Sequence, residues 1–143
     1  MALSHKALIE VAHAHSAAEA AGDLATTLAT LDDEPIYELQ PVGLTFGGMA
    51  AVRSYYEYFF ESFMPRAVGS SKRGEWIGDD AIAEEYGIDL TMPGGAVEHH
   101  AIIGILVFGQ NGLAGERVWA SDRLLRVLFG PAYDLATPIP ATP

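Results

Sequence analysis

The fold is decided by the stretch Ala81-Ile82-Ala83-Glu84-Glu85-Tyr86-Gly87-Ile88-Asp89-Leu90-Thr91-Met92, whose side chains alternate in character. Alternation with a period of two residues predicts a long β-strand with one face turned to the interior. The residues expected to face inward are Ile82, Glu84, Tyr86, Ile88, Leu90 and Met92. All of them are apolar except Glu84 and Tyr86. We therefore expect these two polar side chains to lie inside the protein.

Helices precede this strand, and further strands surround it. Apolar periodicity predicts helices over residues 3–21, 24–31 and 49–63, the second capped by Asp23, and a short strand over Ile36–Leu39. Turn residues predict further strands over Arg73–Ile77, Val97–Gln110 and Leu113–Ser121, followed by a helix over Arg123–Phe129 with Asp122 as its cap.

Helices followed by a run of strands indicate an α+β fold in which a curved sheet wraps around the helices and leaves a pocket. The chain, residues 1–143, is expected to form one domain with a core over 5–130 and an irregular tail over 131–143. The strand that begins at Val97 is apolar on both faces toward its end, and the helices can cover only one face. A second copy of the chain is therefore expected on the other face, which predicts a homodimer.

The composition excludes several classes of function. The net charge is -11 and the eight Lys and Arg residues are scattered, so no basic face for nucleic acid is expected. The chain has no cysteine, which removes disulfides and thiol catalysis. The longest apolar run, Ala101–Phe108, is too short to span a membrane, and the N-terminus lacks a signal-peptide pattern. We expect a cytoplasmic protein without membrane contact.

Several short segments, in their order and spacing, resemble the NTF2-like superfamily and, within it, the SnoaL-like (polyketide-cyclase-like) proteins. The segments are His15–Leu24, Tyr37–Leu39, Phe46–Gly48, Val52–Tyr56, Glu116–Trp119, Leu124–Arg126 and Gly130. The resemblance implies a cone-shaped, cystatin-like α+β barrel with a mixed, mostly antiparallel sheet, a homodimer, and no metal or cofactor. It implies no single reaction, because the superfamily includes polyketide cyclases, ketosteroid isomerases, dehydratases and limonene-epoxide hydrolases.

Two departures limit what the resemblance implies. Epoxide hydrolases place an Arg and an Asp on a central strand and a second Asp on the last strand, where this chain has Tyr86, Ile88 and Trp119. Only Tyr37 matches a tyrosine that helps to hold water in those enzymes. Many SnoaL-like proteins end the last strand in aromatic-x-Asp, whereas here the acid is displaced by one residue to Asp122, which should turn it away from the pocket.

Three residues are candidates for acid–base catalysis: Glu84, His100 and His15. His15 and Glu19 are one helical turn apart and form either a pair that lines the pocket or a helix-surface pair. Register against the superfamily puts Glu98 and His100 on the concave face, where His100 acts as a base or merely occupies a strand end. Glu84 is the best carboxylate, since burial raises the pKa of a carboxyl group, and its alternative is an ion pair with an arginine.

The residues expected to bind substrate are Tyr37, Tyr86, Arg117, Trp119, Glu98 and Tyr55. The phenols of Tyr37 and Tyr86 would stabilise developing negative charge, or simply pack in the core. Arg117 and Trp119 share a parity and would supply a cation and an aromatic wall, although Arg117 can instead neutralise a glutamate. His13 and His15 lie two residues apart on a predicted helix and cannot share a face, and no HExxH spacing occurs, so no metal site is expected.

These residues support three hypotheses about function. The first is a cofactor-independent enzyme that isomerises, cyclises or dehydrates a small hydrophobic ring or carbonyl compound. The second is a non-catalytic binder or carrier of an apolar metabolite, and the third is a structural dimerisation domain whose interior is filled by its own side chains. Polar groups on an inward parity favour the first two, because a packed core has no use for them.

Overall fold

The structure, a computed structural model, describes residues 2–142 and contains one curved sheet flanked by helices. The strands are β1 Leu31–Gln40, β2 Leu44–Gly47, β3 Ala67–Ile77, β4 Ala81–Thr91, β5 Val97–Phe108, β6 Leu113–Trp119 and β7 Thr137–Pro138. The helices are α1 His5–Ala21, α2 Leu24–Ala29, α3 Met49–Tyr58, α4 Asp122–Phe129 and α5 Pro131–Leu135. The expected α+β class is confirmed.

The seven strands form one mixed sheet in the order β3-β4-β5-β6-β1-β2-β7. Neighbouring strands are antiparallel except β1 and β6, which are parallel. The alternation of β4 places Ile82, Leu90 and Met92 on the concave face, where they are buried. They share a hydrophobic core with Ala12 of α1 and Val52 of α3. The core therefore lies between the helices and the concave face.

The first two helices begin and end where their caps dictate. The Ser4 hydroxyl accepts a hydrogen bond from the Ala7 backbone N–H at the start of α1, and Gly22 ends that helix with a φ of 73°. Asp23 then accepts the backbone N–H of Thr26 and starts α2. Within residues 2–142, no helix is long and apolar enough to cross a membrane.

The second helix was expected to continue to residue 31, but α2 ends at Ala29 and a strand follows it. Leu31 already belongs to β1, where it pairs with Leu113 of β6. The Asp32 carboxylate accepts the backbone N–H groups of Gln110 and Asn111, each at 3.0 Å. These long-range partners satisfy the backbone in an extended conformation, which local sequence does not reveal.

The C-terminal tail and its surroundings also differ from expectation. The tail, expected to be irregular, contains α5 and β7, and Thr137 of β7 pairs with Thr45 of β2. The sequence patterns did not predict β2. Ser121, rather than Asp122, caps α4 by accepting the backbone N–H of Leu124.

Candidate active site

A cavity of about 250 Å³ lies between α1, the segment that follows α3, and the concave face of the sheet. Its wall is mostly apolar and includes Tyr55, Phe59, Phe63, Ile88, Ile102, Leu106, Val118, Leu124 and Leu128. The polar side chains on the wall are Ser16, Glu19, Ser70, Glu84, Tyr86 and Glu116. An apolar cleft with a few convergent polar groups is the usual form of a small-molecule site.

Glu84 lies in the middle of β4, opposite Gly104 of β5, and is only 3% exposed. Its Oε1 accepts a hydrogen bond of 2.8 Å from the Ser16 hydroxyl, and its Oε2 accepts one from the Tyr86 hydroxyl. The Lys72 Nζ atom lies 3.4 Å from the same Oε2. These three donors suit an ionised carboxylate, which can only accept. Burial, followed by the contact with Glu84, raises the pKa of Tyr86, so its phenol keeps its proton.

Glu116 reaches the cavity from β6, and Gly104 leaves the space for it. A Cβ atom at position 104 would lie 2.8 Å from the Glu116 Oε1. Among residues 2–142, no group forms a hydrogen bond with the Glu116 carboxyl, and the His15 Nε2 lies 4.0 Å from its Oε2. Burial raises the Glu116 pKa well above its ordinary value, and the charges of Glu19 and Glu84 raise it further. These surroundings favour the protonated form of Glu116.

His15 and Glu19 lie on successive turns of α1, and their Nε2 and Oε1 atoms are 2.6 Å apart. Thr30 donates its one hydroxyl hydrogen to the Thr27 carbonyl, so it accepts at His15 Nδ1, which lies 2.7 Å away and carries a proton. The Nε2 atom hydrogen-bonds the Tyr56 hydroxyl at 3.1 Å and contacts the Glu19 carboxyl group. His15 is fully buried whereas Glu19 forms part of the wall, so this pair lies at the edge of the cavity.

Two buried tyrosines, Tyr37 and Tyr56, lie next to this pair and do not line the cavity. The Tyr56 hydroxyl lies 3.1 Å from His15 Nε2 and 3.3 Å from Glu19 Oε1, and it also hydrogen-bonds the Tyr37 hydroxyl. Burial, then nearby negative charge, raises the pKa of both phenols, which remain protonated. Tyr37 is buried behind the wall instead of facing the cavity, so it does not reach a ligand directly.

One group of side chains has the spacing of cation ligands. Single ligand atoms of His15, Glu19 and Glu116 lie within 4.8 Å of one another, the one such group found among residues 2–142. Two of these atoms, His15 Nε2 and Glu19 Oε1, lie 2.6 Å apart. The spacing by itself assigns no ion to the group, and the expected lack of a metal site remains a prediction.

Comparison with known proteins identifies the architecture. No protein-family model and no curated protein matches the chain. An NTF2-like protein of unknown function from Cytophaga hutchinsonii superimposes with a TM-score of 0.66 at 13% identity, over 80% of this chain and 99% of that one. The chain has an NTF2-like fold.

Two further solved structures share this NTF2-like fold. A protein of unknown function with a cystatin-like fold from Xanthomonas campestris has a TM-score of 0.68 at 20% identity, over 85% of this chain and 96% of that one. A protein from Mesorhizobium loti, provisionally described as a SnoaL-like polyketide cyclase, has a TM-score of 0.61 at 18% identity, over 77% of this chain and 96% of that one. Identities this low show the fold and not the reaction.

His100 and Glu98 lie on the concave face of this NTF2-like sheet, but beyond the cavity wall. The His100 Nε2 lies 3.0 Å from the Glu98 Oε1, and Arg123 of α4 binds Glu98 through two nitrogens. The hydrogen bond from Arg123 lowers the Glu98 pKa to about 2. The three side chains form an ion-pair cluster at the strand end, so neither His100 nor Glu98 is placed to act on a ligand in the cavity.

Arg117 and Trp119 point away from the cavity, and the inward orientation expected for them is wrong. Gly115 pairs with Val107 and Leu113 with Phe108, so Ala114 is an extra residue in β6. Such a bulge reverses which parity faces inward. Beyond it, Glu116 and Val118 line the cavity, while the Trp119 residue is 44% exposed and the Arg117 side chain 51% exposed.

Glu116 is the site residue that the sequence analysis missed. Two glycines indicate its position. Gly104 allows a neighbouring side chain to approach, and Gly115 cannot carry a Cβ atom because that atom would lie 1.7 Å from the Ile36 oxygen. Both are visible only once β5, β6 and β1 are paired. Of the predicted site residues, Glu84, Tyr86 and Tyr55 line the cavity, and His15 contacts it through Glu19.

Proposed function

We propose that this protein is a cofactor-independent enzyme that performs proton transfer on a small hydrophobic ring or carbonyl compound. Glu116 is the general acid and Glu84 is the general base. The observation that carries the proposal is that one apolar cavity holds a carboxylate surrounded by donors and a second carboxyl group whose pKa is raised. Environments that separate the protonation states of two carboxyl groups assign the acid and the base.

The size and lining of the cavity support a cyclic substrate. A cavity of about 150 Å³ is sufficient for benzene, so 250 Å³ suits one ring with substituents or two fused rings. Tyr55, Phe59 and Phe63 offer aromatic surfaces to such a ring, and Tyr86 lies beside the base. The name of the Mesorhizobium loti protein gives a provisional SnoaL-like polyketide cyclase and also a carbohydrate phosphatase, and the first of these agrees with ring or carbonyl chemistry.

The remaining polar side chains have supporting roles in this proposal. His15 contacts Glu19 at the cavity wall, with 2.6 Å between Nε2 and Oε1, while Tyr56 and Tyr37 hold the pair in place. Glu19 in turn contributes negative charge that keeps Glu116 protonated. His15 is thus a positioning residue, since its imidazole lies behind Glu19 and does not face the cavity.

The test follows proton transfer across a panel of compounds, so it does not depend on one chosen substrate. The protein is incubated in D2O with cyclic ketones, hydroxyketones and ring alcohols, and products are identified by chromatography with mass spectrometry. Proton transfer to carbon incorporates deuterium, and dehydration changes the mass. We expect Glu84→Gln and Glu116→Gln to lower turnover about a hundredfold to ten-thousandfold.

Glu85→Gln is the matched control, because Glu85 is the next residue on β4, lies on the outer face and pairs with Arg73. Turnover that survives both pocket substitutions would refute the assigned acid and base. Tight binding of a compound without conversion would instead identify a carrier of an apolar metabolite. The cavity itself disfavours the structural hypothesis, since that hypothesis required an interior filled by its own side chains.

A homodimer remains part of the proposal, through the outer face of the sheet. Trp76, Ile103 and Trp119 are 57%, 39% and 44% exposed on that face. Ile103 and Trp119 lie on adjacent strands and pair with each other. A large exposed apolar patch indicates an interaction surface. Sedimentation of the wild type should give a dimer and Ile103→Asp a monomer, and a monomeric wild type would contradict the proposal.

A further inference from the structure

We propose that the cavity stabilises positive charge on its substrate, and that the substrate is an uncharged ring alcohol that loses water after protonation by Glu116. This inference rests on the proposed function, which leaves isomerisation, cyclisation and dehydration equally open. It selects among them from the sign of the charge that the cavity wall can stabilise.

The charge of the wall is the first argument. Three carboxyl groups, those of Glu19, Glu84 and Glu116, line the cavity, and among residues 2–142 no lysine, arginine or histidine does. The nearby Lys72 is engaged by Glu75 at 2.8 Å and by Glu84, and its side chain is 39% exposed. A transition state that develops negative charge, such as an enolate, would form beside Glu19 and Glu84 at an energetic cost, whereas Glu116 is the uncharged acid. A cationic transition state is stabilised by the same groups.

The direction of the hydrogen bonds is the second argument. Stabilisation of an oxyanion needs donors aimed at the substrate. The Ser16 and Tyr86 hydroxyls, which lie closest to the base, both donate to Glu84 instead. The Tyr55 and Ser70 hydroxyls also line the cavity without a hydrogen-bond partner among the described residues, but the Glu116 carboxyl is the most acidic donor left toward it. Such a group protonates a substrate oxygen.

The aromatic lining is the third argument. Tyr55, Phe59 and Phe63 contribute ring surface to the same cavity, and Phe59 and Phe63 stack with centroids 5.4 Å apart. Aromatic faces attract cations. They also exclude water, which strengthens every charge interaction inside the cavity.

The reaction balances with the groups present. Glu116 transfers its proton to the hydroxyl oxygen, the carbon–oxygen bond breaks with its electron pair on oxygen, and water leaves. Glu84 then accepts a proton from the adjacent carbon, and the electron pair of that carbon–hydrogen bond forms the double bond. Glu84 releases its proton to water, and Glu116 regains one from water, so the alcohol has become an alkene plus water.

The test compares three ligands of one shape and different charge: aminoindane, indanol and indane carboxylate. The ammonium group mimics the developing cation, so calorimetry at neutral pH should show that aminoindane binds about tenfold more tightly than indanol, with the carboxylate weakest. A salt concentration of about 0.15 M limits attraction by the overall negative charge of the protein. Glu19→Gln and Glu84→Gln should each reduce the preference for the amine, and Glu85→Gln should leave it unchanged.

Equal binding of amine and alcohol, a preference for the carboxylate, or no binding of the amine would overturn the inference. The proposed function fails on a separate observation, which is turnover in D2O that does not need Glu84 and Glu116. An alcohol-dehydrating activity with no advantage for the amine would therefore reject the cationic transition state and leave the acid–base proposal in place.

Discussion

Glu116 and Glu98 are glutamates on neighbouring strands of one concave face, yet the pKa values of their carboxyl groups move in opposite directions. Glu98 is bound by Arg123 at the strand end, and this hydrogen bond lowers its pKa to about 2. Glu116 lies beside Glu19 and Glu84, with His15 Nε2 at 4.0 Å, and burial raises its pKa well above the ordinary value. The comparison shows that exposure to water and contact with charged partners, rather than the residue type, decide which carboxyl group can act as an acid.

The largest expected effect is on the pH dependence of stability. Because the folded protein retains the Glu116 proton that the unfolded chain releases, the stabilisation is complete below the unfolded pKa. It is lost as pH rises through the folded value, by up to about 1.4 kcal/mol per pH unit. Urea unfolding of wild type and Glu116→Gln between pH 4.5 and 8 measures this loss, which the variant should lack. Equal slopes for the two proteins would contradict the raised pKa.

Glu98→Gln sharpens the comparison at the other end of the pH scale. The Glu98 pKa is lowered, so its stabilisation is present above the unfolded value and is lost as pH falls toward about 2. The stabilities of Glu98→Gln and wild type should therefore differ by a constant amount above the ordinary pKa of a glutamate and converge as pH falls toward about 2. A difference that changed between pH 6 and 8 would contradict the lowered pKa of this carboxyl group.

The next effect concerns the space that Gly104 provides. Gly104→Ala should destabilise the protein by about 1 kcal/mol, because the new methyl group would overlap the Glu116 Oε1, which is the end of a flexible side chain beside the cavity. Gly87→Ala is the control, since its methyl group would meet first the exposed ring of His99. Urea unfolding measures both. Similar values for the two variants would show that Gly104 has no special relation to Glu116.

A smaller and more local effect is expected from Glu19→Gln. Removing this carboxylate removes one source of negative charge, so the Glu116 pKa should move down toward its ordinary value. Carbon NMR of the glutamate carboxyl groups measures the titration, and Glu10→Gln, an exposed position on the same helix, is the control. A Glu116 titration that did not respond would limit the cause of the shift to burial.

The smallest effect is expected from Arg123→Ala. Loss of the arginine should return the Glu98 pKa toward its ordinary value while leaving overall stability almost unchanged, because surface ion pairs contribute little. Arg126→Ala, which breaks a pair with Asp122 on the same helix, should leave Glu98 unaffected. The same carbon NMR titration measures both variants, and Glu116 should respond to neither.

Local patterns predicted the parts of the site that depend on regular periodicity. Alternation along β4 placed Glu84 and Tyr86 inward, and the one-turn spacing in α1 placed His15 against Glu19. Both follow from fixed geometry within a single element, two residues per repeat in a strand and about 3.6 in a helix. Neither depends on which strands lie alongside.

The rest depended on contacts between distant segments. The inward position of Glu116 follows from the bulge at Ala114, and that bulge exists because β6 pairs with β5 on one side and β1 on the other. The extended conformation of residues 31–35 and the pairing of β7 with β2 arise in the same way. Such partners lie far away in the sequence, where hydrophobic patterning carries little information about them.

The extra residue in β6 has a consequence for how this cavity can change. A slip of β6 by one residue along β5, with Ala114 paired to Val107, would remove the bulge and present Arg117 and Trp119 to the ligand. A wall that repels anions would then attract them, although no residue had been exchanged for another. The chemistry of the site therefore depends on the register of a strand as much as on the identity of its acids.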